Sequence, residues 1–110
     1  MGPRPWNPAS ELKAALERGD LAFAITLAEE LRIERGRPID LVTAARFLPL
    51  VARERPRDFD VWGLRWLGRW IGEAPDATLD RAAEVAAALA DLPPEPRAWE
   101  RLREWVGLPA

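Results

Sequence analysis

Histidine, cysteine, tyrosine and glutamine are absent from this sequence; lysine, serine and asparagine occur once each, as Lys13, Ser10 and Asn7, and methionine stands only at position 1. Without cysteine there is no disulfide framework, no thiolate nucleophile and no cysteine-ligated metal. Without histidine the commonest general base and metal ligand is missing. Zinc, iron and copper sites draw on those two residue types in almost every arrangement, so composition excludes transition-metal chemistry. What is left for catalysis is carboxylates, guanidinium groups, Thr26, Thr43, Thr78, Ser10 and Lys13.

Other absences narrow the class further. There is no glycine-rich phosphate loop, no Ser-His-Asp set and no nucleophile beside a base, so no enzyme, no cofactor and no resident metal are expected. No stretch approaches the ~18 apolar residues of a membrane span, and Met1 to Pro8 lacks the apolar centre of a signal peptide. A cytoplasmic protein with no membrane partner is the expectation. Charge of one sign is also lacking: 18 acidic and 16 basic side chains leave a formal net charge of −2, which creates no overall field toward nucleic acid or anionic lipid. Arginine outnumbers lysine fifteen to one, alanine and proline are abundant and thermolabile residues are scarce, a bias that fits a GC-rich genome first and a hot-growing source second, since scarcity of lysine argues against the latter.

What is present suits a globular chain. Apolar residues make up 48% and charged residues 31% of 110 residues, far from the composition of a disordered chain. That length is near the commonest size of one domain and buries roughly two-thirds of the surface of the unfolded form. The expected organisation is an extended arm over residues 1–8, carrying Pro3, Pro5 and Trp6, followed by a single helical domain over 9–107.

Proline and glycine punctuate that domain at regular intervals. Asn7, Pro8 and Ser10 open a short helix that stops at Gly19, and Asp20 caps a second one over 21–35. There Leu21, Ala24, Ile25, Ala28 and Leu31 follow the i, i+3, i+4, i+7 spacing of one buried face, widened by Phe23 and Leu27. Gly36 and Pro38 end it, and Asp40 opens a third helix over 41–55. Pro49 lies inside that helix, where it removes a hydrogen bond and crowds the carbonyl of Ala45 at a cost of ~3 kcal/mol, so a kink or break is expected. After Pro56, Asp58 or Asp60 caps a fourth helix over 59–73. Asp76 or Thr78 opens a fifth with Leu79, Ala82, Val85, Ala86, Leu89 and Ala90 on one face. Pro93, Pro94 and Pro96 impose an extended connection to a last amphipathic segment over 98–106, with Trp99, Leu102, Trp105 and Val106. No segment alternates like a strand.

The fold class is therefore all-α: about six short helices in three antiparallel hairpins, packed as a compact bundle or as a short helical-repeat-like stack, with the helix over 59–73 central. Gly19 to Ile25, with Ala28 and Leu31, resembles the turn and second helix of a tetratricopeptide repeat. The family's period of about 34 residues does not recur downstream, so the resemblance implies a helical hairpin and nothing more.

Carboxylate pairs deserve a test as metal ligands or as general acid and base. Asp58 with Asp60 and Asp76 with Asp80 fall in first helical turns, where the helix dipole favours acidic side chains. Glu29 with Glu30 and Glu100 with Glu104 stand among arginines on solvated faces that give no reason for a shifted pKa. Two arginine clusters, Arg32, Arg35 and Arg37 and then Arg53, Arg55 and Arg57, end the second and third helices. Glu34, Glu54, Asp58 and Asp60 interrupt them, which makes nucleic acid an unfavoured partner.

The tryptophans are the least ordinary feature. Trp62, Trp66 and Trp70 recur at i, i+4, i+8, and each contributes ~4 to 6 kcal/mol gross if buried. Gly63, Gly68 and Gly72 cost roughly 1 kcal/mol each in helix propensity, a sacrifice that a close neighbouring backbone would explain. At 100° steps the positions from Trp66 through Phe59, Trp70, Leu67, Ile71 and Leu64 to Val61 span about 220°, more than one neighbour covers. Trp62 falls beside Arg65, Arg69 and Glu73. A partly exposed Trp62 with a cation against its ring, joined by Arg65, Trp66 and Arg69, is thus the expected contact surface for a protein partner or a second copy. The expected function is a non-catalytic helical interaction module, adaptor or self-associating; the alternative is a nucleic-acid-associated protein using its arginine-rich helix ends.

Overall fold

The computed structural model describes residues 7–75 and 77–92. The expected arm through Trp6, the Asp76 cap and the helix over 98–106, with Glu100 and Glu104, lie outside them. The described residues are 81% helical and contain no strand, so the all-α class holds. Five of the six expected helices are present, the third as two pieces. Contacts divide the chain into two compact units, Met1–Asp40 and Leu41–Ala110.

The first unit is a hairpin of α1 (Pro8–Glu17) and α2 (Leu21–Arg35). The Asn7 side chain accepts from the amides of Ala9 and Ser10, and Pro8, which has no amide hydrogen to satisfy, takes the first helical position. At the other end Gly19 turns left-handed at φ 77°, which lets its amide reach the Leu16 carbonyl and the Asp20 amide reach that of Ala15. Asp20 then accepts from the Phe23 amide at 3.2 Å and starts α2. Three residues thus stop one helix and begin the next. Leu12, Ala15 and Leu16 of α1 are buried with Leu21, Ala24, Leu27 and Leu31 of α2. Leu27 belongs to the core proper, while Ile25 and Ala28 are half-buried at its margin. Gly36, at φ 68°, closes α2.

The second unit opens with α3 (Leu41–Ala45) and α4 (Phe47–Glu54), followed by a 3-10 turn over Pro56–Asp58, α5 (Phe59–Glu73) and α6 (Leu79–Asp91). The break forced by Pro49 falls three residues upstream, at Arg46, whose amide bonds to the Thr43 carbonyl at 3.1 Å. The displacement has a physical reason. Restarting the helix at Phe47 puts Pro49 in the first turn, where its missing amide hydrogen has no intrahelical partner to lose. Asp58 stands at the start of α5 but makes no side-chain cap, because the 3-10 turn delivers it already in helical conformation, φ −94° and ψ −7°. Thr78 caps α6 through the Arg81 amide at 3.2 Å.

α5 packs against α3, α4 and α6, which makes it the centre of its unit. Phe59, Gly63, Trp66 and Trp70, at i, i+4, i+7, i+11, form its buried stripe. Around them are buried Phe47, Leu48, Leu50 and Val51 from α4 and Val85, Ala88 and Leu89 from α6. The α5 glycines serve no backbone contact. A Cβ on Gly63 would meet only the Phe59 ring, at 3.8 Å, and Gly68 and Gly72 have nothing within 4 Å.

Candidate interaction surface

Trp62, Arg65 and Arg69, at i, i+3, i+7, share one edge of α5. Trp62 is half-buried, and its ring stacks on Phe47 with centroids 5.8 Å apart and planes at 23°. Arg65 is exposed, while Arg69 is half-buried and donates through Nε to Glu73 at 2.9 Å. Trp66 does not join them. It is 3% exposed and donates its indole N–H to the Leu41 carbonyl at 3.0 Å, so it ties α5 to α3 instead of facing solvent. The Trp62 ring thus has an aromatic neighbour. Arg18, in the first unit, does lie over a ring, with its guanidinium carbon 5.4 Å from the centroid of Phe23.

A second apolar surface emerges on the far side of α5. Val61, Leu64 and Ile71 are exposed, Leu64 at 68%, and Leu79 at the start of α6 is 90% exposed. Between the two helices lies a cleft of about 120 Å³, lined by Gly63, Leu64 and Leu67 of α5 and Ala86, Leu89 and Ala90 of α6, with Asp60 at its mouth. These residues were counted inside the 220° apolar arc, but α3, α4 and α6 cover only part of it. The excess width of that arc was the available signal.

Among the described residues no polar or charged side chain is buried, and no three metal-donor side chains cluster. Asp58, Asp60, Glu29, Glu30 and Asp80 are all exposed. Glu29 and Arg32 perturb one another: a hydrogen bond from the guanidinium holds the carboxyl below its usual range and raises Arg32 in turn. Within the arginine clusters Arg32 is bridged to Glu29 and Arg53 to Glu54, so part of their charge is already neutralised. No helix among the described residues is long and apolar enough to cross a membrane. Comparison with family models, with curated proteins and with solved structures found no match for the chain.

Proposed function

We propose that this protein is a non-catalytic helical interaction module of the cytoplasm, working as an adaptor or by self-association. One observation carries the reading. Of the five large apolar side chains exposed among the described residues, Val61, Leu64, Ile71 and Leu79 belong to α5 and the start of α6. Leaving such side chains in water forfeits ~25 cal/mol for every Å² a partner would cover. A helical face with apolar residues at i, i+3 and i+10 suits an apposed helix, which reads a partner at the same intervals. Arg65, of a residue type enriched at binding hot spots, borders that face on α5.

The test is photo-cross-linking in a cell extract, with a photoreactive side chain replacing Leu64 in one sample and Glu34 in another. A protein adduct confined to the Leu64 position supports the reading. Failure to form any protein adduct there removes it, and binding to random DNA that weakens steeply with salt would replace it with a nucleic-acid role.

A further inference from the structure

The identity of the partner follows from the pattern of charge around this face. α5 and α6 run antiparallel, since Gly63 and Leu64 near the start of one share a cleft with Leu89 and Ala90 near the end of the other. Placed at 100° per residue, Val61, Leu64 and Ile71 fall within about 80° of the α5 circumference. On α6 the exposed Leu79, Ala83, Ala87 and Ala90 likewise fall within about 80°. Both arcs turn away from the cleft in the direction of increasing helical angle. Because antiparallel helices rotate in opposite senses when viewed from one end, the two arcs lie on the same side of the pair. They make one continuous two-helix face.

That face carries no ionisable side chain except Asp60 at one end. Its two borders differ in sign. Beyond Val61 on the outer edge of α5 comes exposed Arg65, and beyond Ala87 on the outer edge of α6 come exposed Asp80 and Glu84. A surface depleted of charge at its centre, basic along one border and acidic along the other, is complementary to itself.

We infer, building on the interaction reading above, that a second copy of this chain docks on this face. The two-fold axis runs parallel to the helices, so each α5 lies antiparallel over the partner's α6 and the four helices form an up-down bundle. Arg65 then meets the partner's Glu84. The other symmetric arrangement, with the axis across the helices, brings Arg65 against its own copy and is disfavoured by like charge. Helices of 15 and 13 residues offer roughly 20 Å of length, and with axes 8–10 Å apart the shared face is on the order of 400 Å² in plan. A stable interface covers about 800 Å² of each partner, so a face of this size implies a weak, concentration-dependent dimer.

Sedimentation equilibrium of the full chain from ~10 μM to ~1 mM tests the inference. A monomer–dimer equilibrium is expected. Leu64→Glu and Leu79→Glu, both at exposed positions, should each abolish the dimer while leaving the helical circular dichroism unchanged. Arg65→Glu and Glu84→Arg should each weaken it roughly two- to fivefold, the range of an exposed ion pair, and the double charge swap should restore it. A monomer throughout, a dimer that survives both glutamate variants, or a charge swap that restores nothing overturns the inference. A monomer that still cross-links to another protein through position 64 separates this failure from failure of the interaction reading itself.

Discussion

The Trp66 indole reaches across 25 residues of sequence to donate its N–H to the Leu41 carbonyl at 3.0 Å. The bond links the centre of α5 to the first residue of α3, and the ring around it is almost wholly buried. Trp66→Phe, which keeps much of the ring and removes the donor, should cost ~1 to 3 kcal/mol. Trp66→Ala adds a cavity and should cost ~3 to 5 kcal/mol. Urea denaturation measures both, and a Trp66→Phe variant as stable as the parent would mean that the hydrogen bond contributes nothing.

Trp62 and Trp70 separate an edge from a core. Trp70 is 2% exposed, so Trp70→Ala should destabilise the protein by ~3 to 5 kcal/mol. Trp62 is half-buried and leans on Phe47, so Trp62→Ala should lose about 1 to 2 kcal/mol, part of it from the aromatic pair. Denaturation midpoints in the opposite order would place Trp62 in the core.

Pro49 occupies the third position of α4, where an amide has no intrahelical acceptor. Pro49→Ala should therefore shift stability by less than ~1 kcal/mol, against the ~3 kcal/mol recovered when a proline is removed from a helix interior. A large gain in thermal stability would mean that α3 and α4 fuse once the ring is gone.

Gly72 is exposed and open, with nothing within 4 Å of an added Cβ. Gly72→Ala should stabilise the folded chain by ~0.5 to 1 kcal/mol through helix propensity alone. Thermal melts read the shift, and a loss of stability would reveal a neighbour at that position.

The Glu29 carboxyl is held low chiefly by its hydrogen bond from Arg32. Because the folded pKa lies below the unfolded one, whatever stability this pair adds is present above the unfolded pKa and disappears as pH falls through the folded value. Both side chains are exposed, so the effect on stability is small and the titration itself is the better readout. Arg32→Ala should move the Glu29 carboxyl titration, followed by NMR, back up to the ordinary range. No movement would show that the pair does not persist in solution.

Local signals were the most legible part of the sequence. Asn7, Asp20 and Thr78 act as caps, and Gly19 and Gly36 take the left-handed conformations, because each effect depends on backbone groups within a few residues. Pro49 announced a break without its position, since the helix is free to restart upstream so that the proline falls in a first turn. Asp58 carried the right chemistry for a cap, but Pro56 had already set the turn that enters α5. Trp66 looked like part of a binding edge because a wheel placed it at the rim of the apolar arc. Its burial is decided by α3, which lies 25 positions away at the bonded Leu41 and is invisible to a wheel drawn on one helix. Leu64 and Ile71 fall inside the apolar arc and yet stay exposed for the complementary reason: periodicity reports which residues are apolar on a helix, and only packing decides how many of them find a neighbour.

Since no polar or charged residue is fully buried among the described residues, apolar burial dominates what folding them gains. Apolar hydration gives unfolding a large positive heat capacity, so the stability curve bends downward on cooling as well as on heating. A helical core held together this way loses stability well below and well above the temperature of its maximum, and under denaturants that solvate hydrocarbon.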